Sequence, residues 1–179
     1  MIRRSLLAAM AAAGISGLVA CASSPTPADY ASEKPALDLR SYFNGQLTAH
    51  GLFTDRGGKV ARRFTVLMTC HWVGDDGVLD EAFTYSDGKT ERRVWRLKHL
   101  GGGKYTGQAD DVVGTAIGES AGNALRWVYT LRLPIDTGVY EVQFDDWMYL
   151  MDERVMLNKA VMSKFGIRLG EVTLSFTKS

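Results

Sequence analysis

Apolar and polar residues alternate with a period of two along most of this chain, and turns rich in glycine and aspartate cut the alternation into short runs. In the cleanest run, Leu125, Trp127, Tyr129, Leu131 and Leu133 alternate with Arg126, Thr130 and Arg132. Phe64, Val66, Met68, Cys70 and Trp72 alternate with Arg63, Thr65, Thr69 and His71, and Leu47, Ala49, Gly51 and Phe53 with Gln46, Thr48 and His50. Successive side chains on a strand point to opposite faces, so each run is a strand with one apolar face. The turns at 55–58, 74–77, 86–88, 101–103 and 136–138 carry hairpin residues. Parallel strands need crossovers of a dozen residues or more, and these gaps are shorter, so sequential strands pair antiparallel.

The runs predict about ten strands, near 42–54, 60–72, 78–85, 91–99, 103–109, 112–118, 123–133, 139–150, 153–162 and 167–177. The ninth contains helix formers, but Val155, Asn158 and Val161 favour a strand. An open sheet of this length would leave two unpaired edges, and closure removes them. The fold class expected is therefore all-β: a single antiparallel up-and-down β-barrel over 39–179.

The N-terminus has a different composition. Arg3 and Arg4 precede an apolar stretch from 6 to 18, too short to span a bilayer, and Leu18, Val19, Ala20 and Cys21 follow. This is the layout of a secretory signal over 1–20, with cleavage before Cys21. The Leu-x-Ala-Cys pattern resembles the bacterial lipobox, which implies lipidation of Cys21. Two or more acyl chains give stable anchoring. The expected location is the cell envelope, at the periplasmic face of the outer membrane, because Ala22 rather than Asp follows the cysteine. Residues 21–38, with Pro25, Pro27 and Pro35, read as a flexible tether.

Of the 21 Lys and Arg, two fall in the signal, leaving 19 against 20 Asp and Glu. With no basic stripe, nucleic-acid binding has no electrostatic footprint. Lipidation of Cys21 would leave Cys70 without an intrachain partner, and burial is its expected state.

No residue pattern points to catalysis or metal binding. His50 and His71 lie roughly 20 Å apart along a ladder rising about 3.3 Å per residue, too far for one zinc ion. A haem with one axial histidine stays open, although no cofactor is expected. The pairs Asp75-Asp76, Asp110-Asp111 and Asp145-Asp146 place their side chains on opposite faces if extended. At Asp145-Asp146 one acid faces inward, with Arg126 or Arg132 as partner in a structural ion pair. The stretch 114–122 lacks the Gly-Lys-Ser/Thr ending of a phosphate loop and reads as a bent strand followed by a turn.

The interior is where function is expected. Trp72, Trp95, Trp127, Tyr129 and Phe144 are the candidate aromatic lining, and Arg93, Arg126, Glu81 and Glu141 the candidate polar groups that orient a ligand. About ten strands leave more room than eight, which are filled or hold one small ligand. The leading reading is a barrel that binds a small apolar or amphipathic ligand. The alternative is a filled barrel that docks an envelope partner through exposed Met148, Tyr149 and Leu150. An enzyme ranks third, because no nucleophile–base pair is visible.

Two resemblances follow from particular residues. Tyr42, Phe43, Asn44 and Gly45, then Gly51, Phe53, Asp55 and Arg56, then Leu79, Asp80, Glu81 and Phe83, then Asp87 and Gly88, resemble a bacterial lipoprotein family. So do Asp111, Val112, Val113 and Gly114, then Gly122, Asn123, Ala124 and Trp127, then Asp145, Asp146, Trp147 and Met148, and Lys164, Phe165 and Gly166. That family is catalogued as domain of unknown function 3833. The resemblance implies a lipid-anchored envelope protein and supplies no activity. The architecture is also similar to the calycin superfamily of lipocalins and fatty-acid-binding proteins, although the Gly at 45 has no matching Trp of the lipocalin opening. That likeness concerns the fold, which does not imply function.

Overall fold

A computed structural model describes residues 24–135 and 138–179. Signal residues 1–20, Cys21, and Asp136 and Thr137 of one turn lie outside the described residues. The strands are β1 (Gly45–Asp55), β2 (Val60–Val73), β3 (Asp76–Tyr85), β4 (Thr90–Gly101), β5 (Lys104–Gln108), β6 (Val112–Ala121), β7 (Ala124–Ile135), β8 (Gly138–Leu150), β9 (Val155–Lys164) and β10 (Ile167–Lys178). Each pairs antiparallel with the next, and β1 pairs with β10 from Leu47↔Lys178 to Asp55↔Gly170. The result is one closed up-and-down barrel of ten strands, as the alternation and short turns predict. His50 lies opposite Thr65, the register expected for the first hairpin.

The barrel has a closed end and an open one. Before β1 the chain forms a single helical turn, α1 (Leu39–Tyr42), capped by the Asp38 side chain accepting from the Arg40 amide. Leu39, Tyr42 and Phe43 are buried beneath it. The Tyr42 hydroxyl donates to the Arg154 carbonyl at 3.0 Å, and Phe43 meets Phe176 edge-on. Trp72 Nε1 donates to the Phe43 carbonyl at 2.9 Å. Trp72 therefore belongs to the plug at the closed end; no Cβ fits on Gly77 beside its ring.

Residues 24–38 are not a free tether where they are described. Pro27–Tyr30 forms a 3-10 turn with a capping box between Thr26 and Asp29. The Tyr30 ring packs on Trp147 and Tyr149, and the Leu37 amide donates to the Gly122 carbonyl at 2.8 Å. The proline-rich composition understated this docking because Tyr30 and Leu37 supply apolar contacts that their neighbours lack. The same packing removes the exposed patch expected at Met148, Tyr149 and Leu150. Met148 faces the interior, Leu150 is buried, and Tyr149 is only partly exposed under Tyr30.

The stretch 114–122 does bend. The β6–β7 register shifts between Val113 and Ile117, and the chain turns at Gly122. Cys70 is buried, and loss of solvation pushes its thiol up to about 12.

Candidate ligand site

The interior is hollow. A cavity of about 550 Å³ runs from the α1 plug towards the opposite rim, within the size range of small-molecule sites. Its walls are positions on eight of the ten strands, all but β5 and β6. Trp95 on β4 meets Trp127 and Tyr129 on β7 edge-on, with ring centroids 5.7 and 5.3 Å apart, and Tyr129 stacks on Phe144 of β8 at 5.1 Å. Gly107 and Gly118, on the neighbouring strands β5 and β6, leave space for the Trp127 ring: a Cβ on Gly118 would lie 2.3 Å from it. The remaining lining is mostly Leu, Val, Phe and Met.

Four charged side chains break this apolar wall deep inside. Glu81 on β3 and Arg93 on β4 are direct cross-strand neighbours. Asp111, in the turn before β6, accepts from Arg93 Nε at 2.8 Å and pairs with Nη2 at 2.7 Å. Asp146 on β8 is 7% exposed and lies between Trp127 of β7 and Ala160 of β9. Asn158 of β9, 2% exposed, donates from Nδ2 to the Trp147 carbonyl at 3.3 Å. Among the described residues, Asp111 Oδ1 and Asp146 Oδ1 are buried without a hydrogen-bond partner.

Burial governs the electrostatics. Loss of solvation pushes Glu81 up to about 7, with Arg93 opposing the shift. Loss of solvation, reinforced by Asp145, pushes Asp146 up to about 8. Burial also opposes the Arg93 charge, but Glu81, Tyr129 and Asp111 outweigh it and hold the guanidinium ionised.

The structure separates the expected lining residues. Trp95, Arg93, Glu81, Trp127, Tyr129 and Phe144 do line the cavity. Trp72 does not, because it is held in the plug. Arg126 and Glu141 do not either. Arg126 is next to inward-facing Trp127 and Glu141 next to inward-facing Val142, and adjacent strand residues face opposite ways. Arg126 instead forms a two-pronged bond with Asp145 on the outer face, both contacts at 2.8 Å. The inward acid of the pair is Asp146, and it has no arginine bonded to it. Counting parity from Phe144 identifies Asp146; the turn that places Asp111 carries no such signal. None of the three histidines lines the cavity, and His99 bonds Asp75 at 3.1 Å.

A closed antiparallel barrel around a ligand-sized, mainly apolar cavity is a calycin-like protein. Within that class the chain belongs to the family described as "Protein of unknown function (DUF3833)", whose model matches residues 15–178. No curated protein matches it. Among solved structures it is similar to the S-type phycobiliprotein lyase CPES from Guillardia theta, with a TM-score of 0.56 and 6% identity over 80% of this chain and 93% of that one. It also matches a de novo designed fluorescence-activating β-barrel, with a TM-score of 0.43 and 10% identity over 80% and 99% of the two chains. At such identities the lyase likeness concerns the fold alone.

Proposed function

We propose that this protein is a lipid-anchored carrier of the cell envelope that holds a small amphipathic molecule inside its barrel. The observation that carries the reading is the open cavity of about 550 Å³, with a continuous aromatic wall and a few deep polar groups. Apolar walls supply affinity, and a few placed polar groups fix orientation. A barrel of similar fold belongs to a phycobiliprotein lyase, and a working site within such a fold is consistent with that likeness. The anchor rests on the lipobox ending at Cys21. Lipidation there would hold the barrel at a membrane, a source and sink for amphipathic cargo.

One preparation tests both parts. Full-length protein expressed in a bacterium with a lipoprotein pathway is expected in the membrane fraction, with Cys21→Ala releasing it to the soluble fraction. Native mass spectrometry after mild extraction is expected to show added mass beyond the anchor, lost on denaturation. A chain that stays soluble with Cys21 intact would remove the anchor. A barrel that carries no cargo from its host and takes up no amphiphile in vitro would remove the carrier.

A further inference from the structure

The charge balance inside the cavity says which head group it takes. Deep in the lining stand three carboxyls, Glu81, Asp111 and Asp146, and one guanidinium, that of Arg93. That guanidinium is committed: Asp111 holds it through two nitrogens, and Glu81 sits across the ladder from it. With every group ionised the cluster carries a net charge of −2. With Glu81 and Asp146 both protonated it is neutral. In neither state is there surplus positive charge for an anion. The other arginines of the lining, Arg62 and Arg132, stand on exposed or half-exposed positions towards the rim, and Arg62 is already paired with Asp87.

Two carboxylate oxygens in the same cluster lack a partner. Asp146 Oδ1 and Asp111 Oδ1 are shut off from solvent and receive no hydrogen bond among the described residues. Buried acceptors of this kind normally find a donor. Trp95, Trp127, Tyr129 and Phe144 stand in the same lining, and the face of an aromatic ring attracts an organic cation. A bare metal ion fits poorly: among the described residues no three His, Cys, Asp or Glu side chains converge on one point.

We propose that the occupant is a cationic amphiphile, a protonated amine with an apolar tail, whose N–H groups donate to Asp146 and Asp111 while the tail lies along the aliphatic and aromatic wall towards the open rim. This rests on the carrier reading and specifies its ligand. Binding draws the remaining carboxyls into their ionised form, so uptake of the amine releases protons near neutral pH. The groups that act on Asp146 and set this coupling are Arg93 on β4, Glu81 on β3 and Tyr129 on β7, together with the adjacent Asp145 on the outer face of β8.

The test compares three ligands with one tail. Dodecylamine, dodecanol and dodecanoate are titrated into the delipidated barrel below their micelle concentrations, read by quenching of the cavity tryptophans and by native mass spectrometry. Dodecylamine is expected to bind at least tenfold tighter than dodecanoate, with dodecanol between them. Asp146→Asn is expected to remove the amine's advantage over the alcohol, read as the ratio of the two affinities on the same variant. Glu81→Gln, a second variant, is expected to weaken the amine less and to reduce proton release in unbuffered titration. Equal or tighter dodecanoate binding would overturn the cation assignment and leave the carrier standing. An amine preference that survives Asp146→Asn would be adsorption to the surface and would overturn it as well. Failure of all three ligands to bind would sink the carrier along with it.

Discussion

Asp146 is the residue whose environment departs furthest from its chemistry. A carboxyl is placed between Phe144 and Met148, against Trp127 and Ala160, with one oxygen unpartnered. Such a group stays protonated where a solvated one would ionise. Its folded pKa of about 8 lies above its ordinary 3.8, and that of Glu81, about 7, above its ordinary 4.5. The folded barrel thus keeps protons that the unfolded chain has lost. The stability these two groups contribute is complete below about pH 4 and falls as pH rises through about 7 and 8. Surface carboxylates held low by their partners, such as Asp80 beside Arg92, act only in the opposite sense and only below about pH 4. The ligand-free barrel is therefore expected to melt at lower temperature at about pH 8 than at about pH 5, a difference on the order of a few kcal/mol. Asp146→Asn is expected to flatten that slope and to raise stability at the higher pH. A melting temperature that does not change between the two would contradict the burial argument. Polar residues at inward positions are legible from parity, but their pKa values are not, because desolvation depends on what stands opposite across the lumen.

At the scale of elements, the N-terminal segment and the β6–β7 hairpin explain each other. Gly122 has φ of +53°, and a Cβ there would lie 1.7 Å from the Tyr30 carbonyl oxygen. Only glycine satisfies both the left-handed turn and the close approach of the docked segment. Gly122→Ala is expected to cost about 2 kcal/mol, combining backbone strain with a steric clash. It is also expected to make the chain around Tyr30–Leu37 open to proteolysis while the barrel stays folded; an unchanged cleavage pattern would separate the glycine from the docking. The ten strands themselves were legible, because hydrophobic alternation and hairpin glycines are local signals. The docking of 24–38 was not. Its composition is that of a linker, and the partners of Tyr30 lie more than a hundred residues away, at Trp147 and Tyr149.

For the whole molecule, the decisive property is asymmetry between the two ends. Leu39, Tyr42, Phe43 and Trp72 close one, while the other is rimmed by hairpins and leaves the cavity reachable. Leu133, half-buried on β7 near the open rim, lines the path inwards. Leu133→Trp is expected to slow uptake of a fluorescent amphiphile several-fold in stopped-flow mixing, with stability changed by less than about 1 kcal/mol. Unaltered uptake would place the entrance elsewhere. By itself the chain determined that it would be an antiparallel closed sheet, since side-chain parity and turn residues act between neighbours in sequence. It also named much of the cavity's aromatic wall. Whether the interior would be filled or hollow, and that Trp72 would serve the plug, were settled only by tertiary structure. The physical reason is that volume and desolvation are properties of surfaces brought together across the barrel, and no local pattern measures the distance between them.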